Sequence, residues 1–391
     1  MTDELLVSMG EDYKFLREPV RKICEKFPGD YWRDLDEKSE YPTEFVQALT
    51  EHEYLGALIP EEYGGSGLPL RAGVVILETI HECGCNAAAC HAQMYTMGTL
   101  LRHGSEEQKQ RYLPKIASGE LRLQAFGVSE PVTGSDTTQL RTVAVRDGDS
   151  YVVNGQKIWT SRALYSDLMI LLARTTPADE VKKRSHGLSV FIVDLKEAVG
   201  NGVEIRPIST MINHNTTEVF FTDLRIPAES LIGEEGLGFR YILDGMNAER
   251  ILLSGEALGD ARWFLRKAVE YANEREVFGR PIGQNQGIAF PLARAHAETE
   301  AADLMARKAA AMFDQQLDCG AEANTAKLLS SEASWKAAEA CFQTLGGFAF
   351  ASEYDVERKW RETRLFQTAP ISSNMVLNYI AQHVLKLPRS Y

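Results

Sequence analysis

The chain has 391 residues, 44% hydrophobic and 25% charged, with a formal net charge of −13 and a pI near 5.2. That length and composition support two or three domains with substantial cores, and the acidity excludes a general affinity for nucleic acid or anionic membrane. Six cysteines in so long a chain make no disulfide framework, and the start, "MTDELLVSMGEDYKFL", lacks the basic-then-apolar layout of a signal peptide. No apolar run reaches membrane-spanning length, so no membrane insertion is expected, and a reducing cytoplasm is the expected compartment.

Residues 1 to 120 read as helices broken by loops at "FPGD", "YPTE" and "IPEEYGGSGLPL". The glycines of that last loop follow no convincing strand and complete no dinucleotide fingerprint, so it reads as turn-rich. "HECGCNAAACH" crowds His81, Cys83, Cys85, Cys90 and His91 together, but the spacing fits no zinc pattern and no metal is expected. Its alanine-rich context predicts helix, with Cys83 and Cys85 on different faces as small packed thiols.

From 121 to 235 the pattern changes to short runs rich in β-branched and aromatic residues: "SDLMILLART", "GLSVFIVDL", "GVEIRPIS" and "EVFFTDLRIP". "DSYVVNGQKIWTS" reads as two strand arms around a hairpin turn at Asn154-Gly155. No long helix separates these runs, which predicts an antiparallel β domain and not a βαβ fold. From 236 to 391 long helical patterns return. One runs through "RYILDGMNAERILLSGEALGDARWFLRKAVEYANERE" with isolated glycines, a second carries Pro291 as an early turn or kink, and a third starts near Ala323. The predicted fold class is α+β: an N-terminal helical domain (1–120), a central antiparallel β domain (121–235) and a C-terminal four-helix bundle (236–391).

Two polar stretches stand out. "GVSEPVTGSD" (127–136) gathers small residues, hydroxyls and two carboxylates where the β domain begins. "KIWTS" (157–161) puts an indole and two hydroxyls on the second strand arm. In this order, followed by "EREVFGRPI" and "QTLGGFAFASEYDVERKWRE", they resemble the acyl-CoA dehydrogenase family over nearly the whole chain. The resemblance implies FAD bound in a non-Rossmann manner. It places Phe126, Val128, Ser129, Gly134 and Ser135 along the cofactor, with Ser135 also facing CoA. It puts Trp159 beside the isoalloxazine, with Thr160 next to it and Ser161 near flavin N5. Arg275, Phe278, Gln286, Gln343, Gly346 and Gly347 are implied to contact the cofactor of a neighbouring subunit, hence a homotetramer, and Ser372 joins the cofactor set. By themselves Arg275 reads as a helix-end cation and Gly346-Gly347 as a helix C-cap. The loop "KKRSHG" (182–187) is either solvated or, through Lys182, a contact to the CoA nucleotide. Thr133, Gln139 and Ala349 depart from the residues usual in these motifs.

The larger departure lies in "RLFQTAPISSN". Many relatives carry their catalytic glutamate here, and this chain has Pro370, with no carboxylate after Glu362. Proline also lacks the backbone N–H that in relatives helps to hold the thioester oxygen. "MNAERILLSG" holds the alternative. Glu249 shares a helical face with Ile242, Met246, Leu252 and Leu253, and such a carboxylate is paired, bent out to water, or kept for chemistry. The isovaleryl-CoA and long-chain branches place their base on this helix, just before a shared arginine. The resemblance therefore implies Glu249 as catalytic base, with Asn247 and Arg250 in the substrate site.

The function implied is FAD-dependent dehydrogenation of an acyl-CoA to a trans-2-enoyl-CoA within fatty-acid β-oxidation, with electrons passed to electron-transfer flavoprotein. A flavin oxidase or monooxygenase on a non-CoA substrate and an inactive flavin-binding assembly protein stay open as alternatives. Small Ala369 beside Pro370 leans toward branched acyl groups.

Overall fold

The computed structural model describes Met9 and residues 11–389. The chain start, read above for a signal peptide, lies mostly outside the described residues. In chain order the first helices are α1 (Arg17–Cys24), α2 (Gly29–Lys38), α3 (Thr43–Glu51), α4 (Leu70–Glu82), α5 (Ala88–His103) and α6 (Glu106–Ser118). The strands are β1 (Leu123–Gly127), β2 (Val143–Asp147), β3 (Ser150–Ser161), β4 (Leu168–Arg174), β5 (Leu188–Asp194), β6 (Val203–Pro207), β7 (Thr216–Pro227) and β8 (Leu231–Ile232), with the one-turn helix α7 (Leu195–Ala198) after β5. Then come α8 (Gly238–Glu274), the hairpin of β9 (Glu276–Val277) and β10 (Arg280–Pro281), α9 (Gln286–Asp314), α10 (Gly320–Leu345), α11 (Val356–Leu365) and α12 (Ser373–Tyr379). The helical–β–helical order is the one expected. Among the described residues no helix is long and apolar enough to cross a membrane.

These elements form two compact units. One joins the chain up to Lys38, Pro69–Ala87 and Asn247 onward; the other joins Ser39–Leu68 and Ala88–Met246. The second unit is built on an eight-stranded sheet in the order β6-β7-β3-β2-β4-β5-β8, with β1 beside β4. Most pairs are antiparallel, as predicted, but β1 runs parallel to β4. Every residue of β4 is buried, which accounts for its unbroken apolar run LMILLA.

The Asn154-Gly155 hairpin is not formed. β3 runs straight through both residues, and the chain reverses earlier, between Asp147 and Ser150, where Gly148 has φ +59. At Asn154-Gly155 the pairing with β7 shifts register instead, and Asn154 exchanges hydrogen bonds with Asp223. Pairing along a twelve-residue β7 outweighs the local turn preference of the dipeptide.

In the first unit α9 continues through Pro291, and the isolated glycines of α8 have a packing role. A Cβ on Gly255 would lie 2.7 Å from the Val74 carbonyl oxygen, and one on Gly259 would lie 2.3 Å from that of Glu78. The absent side chains let the backbone of α4 lie directly on α8, which sets the position of the helix carrying Glu249.

Two glycine-to-alanine changes should therefore act in opposite directions in urea unfolding. Gly259→Ala forces α4 and α8 apart and should cost about 1–3 kcal/mol. Gly287→Ala, in open space at the start of α9, should gain up to about 1 kcal/mol by restricting the unfolded chain. Equal effects of the two changes would contradict the packing role.

Candidate functional site

In the β unit, the polar segment after β1 has left the sheet, and a buried ion pair holds it to β3. The Lys157 side chain is fully buried; its ammonium donates to Glu130 Oε1 at 2.8 Å and to the Val128 carbonyl at 3.1 Å. Glu130 also accepts the backbone N–H of Arg141 at 2.6 Å and of Thr142 at 2.9 Å, and Ile158 donates its N–H to the Ser129 carbonyl. Burial pushes Lys157 down to about 8 against the pull of Glu130. On Glu130 burial works against ionisation, but Lys157, Arg141 and Thr142 outweigh it and hold the carboxyl below its usual range. Val128, Ser129 and "KIWTS" are thereby brought side by side.

The next residues in β3 present a flat aromatic surface. Trp159 sits in a bulge with φ +60, and the residue is 59% exposed although its neighbours Lys157 and Thr160 are buried. A strained backbone that turns an indole outward is a feature of binding sites. Thr160 points inward, with its hydroxyl buried and unpartnered and its carbonyl accepting from Thr217. Ser161 accepts a hydrogen bond from Asn213 Nδ2 at 2.8 Å, which leaves its own proton for a further acceptor. Asn213, at φ +52, is itself tied to Thr216 by three hydrogen bonds. Sequence reading missed Asn213 because its link to Ser161 spans 52 residues; its only local signal is the turn-rich run "NHNTT". An exposed indole beside an oriented hydroxyl fits an isoalloxazine, with Phe126 in β1 packed edge-on against Tyr95.

Gly134 and Ser135 lie exposed on the loop that follows. A Cβ on Gly134 would meet nothing within 4 Å. The largely buried Arg174 guanidinium donates to the Thr138 carbonyl at 2.8 Å and to the Arg184 carbonyl at 3.2 Å. It therefore sets the Ser135 loop beside the exposed basic loop of Lys182 and Lys183.

In the other unit, Glu249 is only 6% exposed, and its α8 neighbours Leu252 and Leu253 are buried. Arg250 is buried as well. It donates to Asn247 Oδ1 at 3.1 Å, and burial lowers its pKa against the pull of Glu249 and Tyr379. Arg250 opens onto a cleft of about 410 Å³ shared with Asn324, Tyr379, Gln382, His383 and Arg389. The Asn324 carboxamide oxygen is buried and unpartnered there. Beside it, Lys327 donates to the Ile371 carbonyl at 2.7 Å, and burial together with Arg250 pushes its ammonium down to about 8. Ser372 caps α12, its hydroxyl oxygen accepting from the Met375 N–H at 3.4 Å.

Farther along α8, Asp260 accepts from Lys359 at 2.5 Å and pairs with His81 Nδ1 at 2.7 Å, while Ala87 donates its N–H to His81 Nε2. At the far end of α8, Arg275 is exposed, Phe278 at the β9–β10 turn is 100% exposed with φ +52, and Gln286 opens α9. Gln343 is exposed near the end of α10. Gly346 forms that helix's C-cap, and a Cβ on either Gly346 or Gly347 would meet open space. Tyr271 and Phe348, 6.2 Å apart, bring the α8 end and the Gly346–Phe350 turn together.

Three family models match the chain: acyl-CoA dehydrogenase N-terminal domain over residues 10–120, middle domain over 125–224 and C-terminal domain over 236–385. The acyl-CoA dehydrogenase FadE12 of Mycobacterium tuberculosis is 34% identical over 394 residues, which cover 100% of both chains. A solved glutaryl-coenzyme A dehydrogenase in complex with glutaryl-CoA superposes with a TM-score of 0.89 at 30% identity, over 97% of each chain. A chain from the electron transferring flavoprotein of Acidaminococcus fermentans superposes with a TM-score of 0.89 at 28% identity, over 96% of this chain and 98% of that one.

Lys157→Met would strand a buried carboxylate and should cost about 3–5 kcal/mol in urea unfolding, and adding Glu130→Gln should restore part of it. Glu130 titrates below its unfolded value, so its contribution is complete above about pH 4.5 and is lost as the pH falls through its folded value. Melting temperature should therefore fall more steeply on acidification in the parent than in the double variant; parallel pH profiles would contradict this role.

Proposed function

Because the chain belongs to the acyl-CoA dehydrogenase family, we propose that it oxidises an acyl-CoA thioester to the trans-2-enoyl-CoA, with Glu249 as the base. The observation that carries this reading is a buried carboxylate on α8, next to Arg250 at the head of a polar cleft, in a chain that has Pro370 where many relatives keep their base. Glu249 takes the proton from the carbon α to the thioester. Leu252 and Leu253 keep water from that carboxylate, which favours proton abstraction over solvation. FAD, when bound, supplies the acceptor for the hydride leaving the β-carbon. Val128, Ser129, Trp159 and Ser161 would hold its ring, and Asn213 keeps the Ser161 hydroxyl turned for donation. Pro370 offers no N–H to the thioester oxygen, so the enolate oxygen depends on other donors.

The cleft at Arg250 suits the polar, phosphate-bearing end of the thioester. Arg250 and Arg389 supply positive charge, and Asn324, Gln382 and His383 supply hydrogen-bonding groups for a pantetheine chain. In the β unit, Lys182 and Lys183 supply basic character beside Ser135. The exposure of Arg275, Phe278, Gln286 and Gln343 supports contact with a second copy's cofactor in a homotetramer. Electrons pass onward to electron-transfer flavoprotein, and the setting is β-oxidation in the cytoplasm.

Glu249→Gln preserves volume but removes the proton acceptor. Anaerobic flavin reduction by an acyl-CoA that the parent oxidises should slow by about 10²- to 10⁴-fold, while FAD content and oligomeric state stay unchanged. Near-normal reduction would place the base elsewhere.

A further inference from the structure

Among the described residues three lysines are fully buried, and they are not held alike. Lys157 pairs with Glu130 at 2.8 Å, and Lys359 pairs with Asp260 at 2.5 Å and with Glu362 at 3.1 Å. Lys327, on α10, has no carboxylate partner among the described residues. Its ammonium donates to the Ile371 carbonyl at 2.7 Å, its single hydrogen bond among them, so one of three N–H donors is used. Burying a cation on these terms is costly unless a negative partner arrives. Arg250 on α8 adds a second buried cation, and its Nε is itself buried without a hydrogen-bond partner.

The carbonyl that Lys327 holds belongs to the Pro370 turn. On either side of it, Ala369 donates its N–H to the Leu365 carbonyl at 2.9 Å and Ser373 to that of Gln367 at 3.0 Å. Pro370 has no N–H to give, and Lys327 is what ties the turn to α10. Ile371 also lines the cleft, together with Arg250 on α8, Tyr379 on α12, and His383 and Arg389 beyond it. Glu249 acts on Arg250 from its own helix, and Glu322, five residues before Lys327, is already taken by Lys308 of α9 at 3.0 Å. The set therefore holds two buried cations, Lys327 and Arg250, and one buried carboxylate, Glu249.

We propose that the Lys327 ammonium is the counter-charge of the thioester enolate, and that it works as a positioning residue through the Ile371 carbonyl, which it fixes on the cleft wall. This role presupposes that Glu249 takes the α-proton of an acyl-CoA, as proposed above. In that step the C–H bond breaks, the proton goes to the Glu249 carboxylate and the electron pair moves onto the thioester oxygen. Negative charge thus leaves Glu249 and appears on the substrate, where Pro370 has no N–H to offer. Lys327 has no acid of its own to release first, unlike Lys157 and Lys359. A lysine that merely anchored the turn would behave differently, because a neutral amine still donates to a carbonyl and deprotonation would cost nothing. Burial, with Arg250, sets that titration at about 8: the ammonium is present below it and lost as the pH rises through it.

Two measurements on the FAD-loaded, full-length protein test this. First, a 3-oxoacyl-CoA, whose α-proton is acidic already in water, is bound and titrated by its enolate absorbance. Lys327→Met should raise the apparent pKa of the bound ligand by about one unit, a tenfold loss of enolate, and Lys327→Arg, which keeps the charge, should leave it at the parent value. Second, flavin reduction by an acyl-CoA is followed anaerobically at low substrate. The parent's second-order rate constant should fall as the pH rises through about 8, and Lys327→Arg should show no such fall. Lys327→Met should be slower by about 10- to 10²-fold below that pH and flat across it. Lys327→Met with the parent's enolate pKa, or equal alkaline falls in the parent and Lys327→Arg, would overturn the proposal. Either variant decides alone if the other does not fold. A parent whose flavin no acyl-CoA reduces would overturn the Glu249 reading instead, and the enolate titration would still report on Lys327.

Discussion

The buried pair of Lys157 and Glu130 is the constraint on which the polar surface of the β unit depends. β1 is paired only as far as Gly127, so the segment carrying Val128, Ser129, Gly134 and Ser135 has no ladder to fix it. Lys157 does that work from the neighbouring strand, gripping the Val128 carbonyl and Glu130 together, and Glu130 extends the grip to the start of β2 through Arg141 and Thr142. A buried ion pair contributes little net stability over an apolar packing of equal volume. Its value here is register: one arrangement meets both Glu130 oxygens, and it sets Trp159 and Ser161 beside the segment before any cofactor arrives.

α8 is the second fixed body. Glu249, Glu256 and Asp260 fall at spacings of seven and four and so share one face of the helix. Burying three carboxylates on one stripe is costly unless each is compensated. Asp260 is met by Lys359 and by His81 Nδ1, and against its burial and Lys359 the imidazole is raised to about 9 by Asp260 and Glu256; Lys359 in turn pairs with Glu362 at 3.1 Å. Glu256 lies 3.7 Å from His81. With Gly255 and Gly259 pressing the helix against α4, neither its rotation nor its height is free. A base placed on such a helix is rigidly aimed. The proposed role of Glu249 draws on that rigidity, whereas Pro370 lies in a segment tied to Lys327 and to the cap of α12.

Much of this was legible in the sequence because it was written at short range. The change from period-3.6 to β-branched patterns gave the three-part order, and the isolation of Glu249 on an apolar helical face was visible from spacing alone. Failures came where distant contacts overrule local preference. Asn154-Gly155 is a strong turn signal, yet β7 draws it into a continuous strand. The helix predicted through Cys83 and Cys85 ends at Glu82, because α11, remote in sequence, supplies the Arg358 and Lys359 donors that hold the turn. Gly255 and Gly259 read as isolated glycines until α4 is seen against them, and Asn213 could be tied to Ser161 only in three dimensions.

The proposed move of the proton acceptor from the Pro370 segment to α8 is tested most directly by a crystal structure of the FAD-loaded protein with an acyl-CoA whose β-carbon is replaced by sulfur, so that no hydride can leave. The Glu249 carboxylate should lie within about 3.5 Å of the α-carbon, in near-attack geometry, with no other carboxylate in reach. A thioester whose α-carbon faces a different acid, or a Glu249 turned away from it, would put the base elsewhere.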